Sequence, residues 1–227
     1  ITKAIEVKKM ADLPKLIDIL RKVSKEDPSL KVTINEETGE SLISGMGELH
    51  LEIIENRIVT EKGLEIKTSA PIVVYRETVE KESPELEGRS PNKHNSFYMK
   101  VEPLEPAVYE AIKNGEIPEG RIKKKNKELF DKFTEFGWDG DTIRSVKDIY
   151  RGNIFLDQTR GEVRINEVIE MVVDAFEMVI DAGPLAREPC TKMKVSLMDT
   201  RIHEDPIHRG PAQVYPAVRE AIKECMK

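Results

Sequence analysis

Several things are scarce in this sequence. Cysteine occurs only twice, at 190 and 225, too few and too far apart for a disulfide framework, which suits an intracellular protein. No apolar run is long enough to span a bilayer, and the first residues lack a signal peptide's apolar stretch. The expectation is therefore a cytoplasmic protein with no membrane partner. Positive charge is also short: the formal net charge of −6 removes any general attraction to nucleic acid, so contact with RNA must come from local basic patches. There is no G-x-x-x-x-G-K-[ST] loop and no G-x-S-x-G elbow, and neither cysteine has a histidine at a diagnostic spacing.

What is present is a soluble, well-charged composition over 227 residues, enough for two cores. In the first part, Ile1, Ile5 and Val7 suggest a strand. Leu13, Leu16, Ile17, Leu20 and Val23 mark a helix face, with Asp12 as its cap and Pro28 beyond its end. Leu30, Val32 and Ile34 alternate, a turn follows at Thr38-Gly39, and Leu42-Ile43 continue as a partner strand. A second helix from about Gly47 ends at Gly63, before a strand through Leu64 and Ile66. The order βαββαβ is that of a ferredoxin-like split βαβ sandwich, so the fold class is α+β. Pro71 to Glu77 reads as a junction, and the division is 1–73 and 74–227. In the second part strands are expected near 72–80, 96–102, 143–149 and 192–202, a loop over 83–95, and one long helix from Ile165 to Asp181.

Two polar loops stand out. Arg89-Ser-Pro-Asn-Lys-His-Asn95 is one; the other, 203–210, lies where the alternation of Met193, Val195 and Leu197 gives way to the helical spacing of Val214, Val218, Ala221 and Cys225. Together they hold His94, His203 and His208, three of four histidines. The second loop precedes a helix N-terminus, where free N–H groups favour anions, and Arg209 adds positive charge. Histidine and arginine can stack on bases and bond phosphate or 2′-hydroxyl groups, which suits an RNA-facing tip. His203, Asp205 and His208 also have metal-ligand chemistry, so a metal-dependent hydrolase is the competing reading, although Pro206 excludes a regular helix through the triplet. A further basic run, Arg121, Lys123, Lys124, Lys125, Lys127 and Lys132, is interleaved with acids and reads as a solvated helix face.

Ile43-Ser-Gly-Met-Gly-Glu-Leu-His-Leu-Glu-Ile53 resembles the third domain of the ribosomal translocases. Ser90-Pro-Asn-Lys-His-Asn95, followed by Tyr98-Met-Lys, resembles the opening of the fourth domain in their archaeal and eukaryotic branch, the elongation factor 2 family. His203-Glu-Asp-Pro-Ile-His208-Arg-Gly resembles that branch's tip loop, and Pro211-Ala212 after it fits an archaeal type. The resemblance implies a second domain of ribosomal protein S5 domain 2-like fold. It also implies that His208 is the position converted to diphthamide, and that no residue here is catalytic. Contacts with the ribosome, its tRNA and mRNA at the decoding site, would come from His203, Asp205, Ile207, Arg209, Gly210, Pro91, Asn92, Lys93 and His94. It implies further that GTP and Mg²⁺ belong to a domain outside this chain, that the chain itself holds no cofactor or metal and is a monomer, and that diphthamide-synthesis enzymes and ADP-ribosylating toxins are partners.

Overall fold

The computed structural model describes every residue except 36, 37, 39, 123–125 and 160–163. The chain forms two units, Ile1–Val74 and Tyr75–Lys227. In the first, β1 (Thr2–Val7), α1 (Leu13–Glu26), β2 (Lys31–Ile34), β3 (Ser41–Ser44), α2 (Glu48–Thr60) and β4 (Ile66–Ser69) follow one another in the βαββαβ order. The sheet runs β2-β3-β1-β4, with each pair antiparallel. Leu16, Ile19, Leu20 and Val23 recur at helical spacing on α1, and that face is buried. It meets Leu51, Ile54 and Ile58 of α2, with Ile5 and Ile43 from the strands beneath. Gly63 sits at φ 62, a left-handed conformation that lets the chain leave α2 without strain. Asp12 does stand at the head of α1, but its carboxylate caps nothing, because its backbone is already helical (φ −90, ψ −1). The turn expected at Thr38-Gly39 includes residue 39, which lies outside the described residues.

A polar clasp joins the end of α1 to the start of α2. His50 Nε2 lies 2.8 Å from Asp27 Oδ2, while His50 Nδ1 accepts from the Met46 N–H at 3.2 Å. The Ser29 hydroxyl, followed by His50, holds the Asp27 carboxyl at about 2, below the ordinary carboxylate range.

The second unit is built from β5 (Leu86–Arg89), β6 (Ser96–Pro103), α3 (Pro106–Lys113), β7 (Gly120–Arg121), α4 (Lys127–Glu135), α5 (Gly140–Ser145), β8 (Val146–Tyr150), β9 (Asn153–Asp157), α6 (Ile165–Asp181), β10 (Met193–Arg201) and α7 (Pro211–Cys225). Its sheet order is β5-β6-β10-β9-β8-β7; β9 and β10 are parallel and the other neighbours antiparallel. Side chains alternate across β9, and that alternation divides the core in two. Phe155 joins Phe97, Val195, Phe176 and Val218 under α6 and α7. Ile154 and Leu156 join Val108, Phe133, Trp138 and Ile149 under α3 to α5.

The structure corrects three expectations here. The stretch 72–80 is not a strand: Ile72, Val73, Val74 and Tyr75 are exposed, and among the described residues the only pairing is an isolated bridge between Glu77 and Cys190. The expected loop 83–95 contains β5, whose single apolar residue, Leu86, gives no alternation to read. Gly88 belongs there for want of space, since a Cβ on it would lie 2.0 Å from the Ala217 carbonyl oxygen of α7. Within 143–149 the first residues close α5, a short helix capped by Asp139, whose carboxylate accepts from the N–H groups of Asp141 and Thr142 at 3.0 Å.

Candidate functional site

The strand register brings the two polar loops together. Arg201 of β10 pairs with Ser96 of β6, and Ser96 pairs with Arg89 of β5, so the β5–β6 turn and the segment after β10 emerge side by side. The turn is closed by the Ser90 N–H donating to the Asn95 carbonyl at 2.9 Å. Lys93 takes φ 61 at its apex, with its N–H on the Ser90 carbonyl at 2.7 Å. Asn92 Oδ1 accepts from the Ser90 hydroxyl at 2.5 Å and from the His94 N–H at 3.1 Å, which fixes the asparagine against its own turn.

The second loop is shaped by its own polar residues. The Asp205 carboxylate accepts from the Ile207 N–H at 3.0 Å, Pro206 begins a single 3₁₀ turn over Pro206–His208, and the His208 N–H donates to the Asp205 carbonyl at 3.1 Å. His203 Nδ1 accepts from the Asp205 N–H at 3.1 Å, an arrangement that puts the ring proton on Nε2.

Asparagines lock the loops to each other. The His208 carbonyl accepts from Asn95 Nδ2 at 2.8 Å and from Asn92 Nδ2 at 2.9 Å. Asn95 Oδ1 accepts from the His203 N–H at 3.0 Å, and Gln213 Oε1 of α7 accepts from the Asn92 N–H at 2.9 Å. Asn95 is 1% exposed, so both ends of its amide are fully used in a dry setting. The result is a triangle of imidazoles. Ring centroids lie 4.9 Å apart for His94–His203, 4.8 Å for His94–His208 and 4.7 Å for His203–His208. His203 and His208 are half-buried, His94 is exposed, and Ile207 beside them is 79% exposed.

The residues of this tip do not all face outward. Arg209 is buried: its guanidinium donates to Glu167 of α6 at 2.5 Å and to the His203 carbonyl at 3.4 Å, so it is a strut under the loop and not the surface charge expected of it. Asn92 likewise spends its amide within the site, Oδ1 on its own turn and Nδ2 on the His208 carbonyl, and the Asp205 carboxylate caps the 3₁₀ turn. Gly210 heads α7 in an extended conformation. Pro91, Lys93, His94 and Ile207 are exposed.

The metal-hydrolase reading finds no support. Among the described residues no set of three or more His, Cys, Asp or Glu side chains is arranged to hold a metal ion, the tip histidines included. Asp205 Oδ1 and His203 Nδ1 each accept from a backbone N–H group.

Residues 1–70 match Elongation Factor G, domain III, and residues 115–227 match Elongation factor G, domain IV. Over 222 residues, 98% of this chain, it is 56% identical to elongation factor 2 of Thermococcus onnurineus, covering 30% of that protein. Elongation factor 2 of Methanosphaera stadtmanae is 55% identical and that of Pyrococcus furiosus 54%, each over the same 98% of this chain and 30% of its own length. The chain belongs to the elongation factor G and elongation factor 2 family.

It spans about 30% of the length of these relatives, and it carries the family's third and fourth domains in order. The third-domain match falls within the first unit, the 203–210 loop lies within the fourth-domain match, and the 89–95 loop belongs to the same second unit. Elsewhere on that domain the basic run does not act as one surface. Arg121 is held by Glu170, Asp174 and Glu177 of α6 at 2.6 to 2.9 Å, Lys132 donates to the Glu116 carbonyl at 2.5 Å, and Lys123 to Lys125 lie outside the described residues. The acidic face of α6 therefore anchors the edge strand β7.

The locking role of three residues was not legible in the sequence: Asn95, although it lies in a loop that stands out, and Gln213 and Glu167. Each is an ordinary polar residue whose partner lies 42 to 121 positions away, and no local spacing marks it.

Proposed function

We propose that this chain supplies the linker and tip of a ribosomal translocation factor. The observation that carries the proposal is the double acceptance at the His208 carbonyl. Two asparagines from the neighbouring turn fix the backbone of the one residue whose side chain is to be elaborated, and three imidazoles and Ile207 crowd the end of a stiff sheet. Rigid support is what a probe needs if it is to occupy a fixed place in an RNA-walled site. Contact through phosphate, sugar and stacking is independent of sequence, as a codon-independent motor requires.

On this reading His208 is the diphthamide position. His203, His94, Lys93, Pro91, Ile207 and Gly210 meet the decoding site with its tRNA and mRNA, while Asp205, Asn92 and Arg209 hold the loop in shape. Diphthamide-forming enzymes, and toxins that ADP-ribosylate their product, are partners of the same loop. GTP and Mg²⁺ serve the whole factor through parts outside the residues matched here, and the factor works in the cytoplasm as a monomer.

The test is chemical. The chain is produced in an archaeon that makes diphthamide, and its intact mass and tip peptide are measured beside those of His208→Gln. Added mass on His208, absent from the variant, supports the proposal. An unmodified His208 from a host whose own elongation factor 2 is fully modified would remove it.

A further inference from the structure

A second surface lies on the third domain, remote in sequence from the tip. β2 is an outer strand of its sheet and pairs only with β3, so one side of its backbone carries no strand among the described residues. Between β2 and α1 runs a groove of 530 Å³. Its floor is aliphatic: Ile17 and Leu20 from the helix, Val32 and Ile34 from the strand, with Ile34 49% exposed. Its helical wall carries Arg21 and Lys25, one turn apart on the same face and both exposed. Among the described residues neither cation has a carboxylate partner, although the chain has a net charge of −6.

We propose that this edge and groove form a docking site for an extended acidic peptide. An open strand edge offers a row of N–H and C=O groups at the spacing of a new antiparallel or parallel partner. A bound strand points alternate side chains one way, so its inward residues enter the groove. There the floor selects aliphatic groups and the Arg21–Lys25 wall selects carboxylates. Single-stranded RNA is the weaker occupant: the lining has no aromatic ring on which a base could stack, and nucleic acid has no use for a strand edge. The surface has no bearing on the tip proposal and stands or falls apart from it.

The test uses the chain as given, isotopically labelled, and a capped peptide of about seven residues, Val-Thr-Glu-Thr-Val-Thr-Glu, whose inward positions alternate valine and glutamate. Three comparison ligands are added: the same peptide with lysine for glutamate, a backbone N-methylated version, and an oligouridylate. The expected result is saturable amide shifts confined to α1 and β2, with affinity falling about tenfold in Arg21→Glu/Lys25→Glu and falling similarly for the N-methylated peptide. Both substituted positions are exposed, so the variant keeps its fold, which its own amide spectrum verifies. Equal binding of the lysine peptide, preferential binding of the RNA, shifts outside α1 and β2, or no binding of the glutamate peptide at millimolar concentration each overturns the proposal.

Discussion

Arg209 and Glu167 make an unequal ion pair: Nη2 lies 2.5 Å from Oε2, yet the arginine side chain is 7% exposed and the glutamate 55%. The arginine is the member taken out of water, so the loop and not α6 bears the consequence of losing the contact. Arg209→Ala is expected to cost about 1–3 kcal/mol in a denaturant titration, less than breaking a wholly buried pair because the abandoned glutamate can rehydrate. Lys93→Ala, at an exposed position, should stay within about 0.5 kcal/mol of the parent.

The asparagine lock predicts a difference between two substitutions at one site. Asn95→Ala strips the His203 N–H of its acceptor and the His208 carbonyl of a donor, and should destabilise by about 1–3 kcal/mol. Asn95→Asp keeps an acceptor for the His203 N–H but sets an oxygen against the His208 carbonyl where the donor was. Hydrogen exchange at the His203 amide should therefore accelerate in the alanine variant and stay slow in the aspartate variant.

Asp148 sets a pH dependence of uncommon sign. It is 1% exposed, its Oδ2 has no hydrogen-bond partner among the described residues, and burial together with the neighbouring Glu177 charge pushes its carboxyl up to about 6 from 3.8. A carboxyl raised by folding binds more protons in the folded state, so its penalty is absent below about 4 and grows as pH rises to about 6. Asp148→Asn should flatten that part of the stability profile and raise stability at pH 7 by up to about 3 kcal/mol, at 1.36 kcal/mol for each unit.

The opposite sign holds at Asp27. Its carboxyl is lowered to about 2, first by the Ser29 hydroxyl and then by His50, so the stabilisation is present above about 4 and is lost as pH falls toward 2. Asp27→Asn should shift the acid-unfolding midpoint of the third domain less steeply with pH over that interval, measured by circular dichroism of the whole chain.

Gly88→Ala is a test of packing alone. The added methyl would meet the Ala217 carbonyl oxygen at 2.0 Å, a backbone atom that cannot rotate away. Either α7 or β5 must move, and the loss should exceed about 3 kcal/mol in thermal or denaturant unfolding.

The sequence was most legible where one periodicity ran unbroken. α1, with Leu16, Leu20 and Val23 on one face, and α6, from Ile165 to Asp181, lie where their apolar spacing puts them. It was least legible where apolar character and burial part company. Ile72 to Tyr75 look like a strand and are exposed, whereas β5 has only Leu86 to show and earns its place through Gly88 against α7. The tip loops announced themselves through rare histidines and prolines. The inward turn of Arg209 did not, because a charged residue beside a turn looks the same whether it faces water or Glu167.

Glu77 has a consequence for where the fourth domain starts. Its carboxylate accepts from the backbone N–H groups of Leu185, Ala186 and Glu188, and its own backbone bonds to Pro189 and Thr191. Gly183 is the companion that makes room, since a Cβ there would collide with the same carboxylate. The segment after α6 is thus moulded around a residue that sequence order assigns to the junction. A version of this domain cut to begin after Glu77 would leave a vacant anion cradle of three backbone donors, whereas one beginning a few residues earlier carries its own occupant with it.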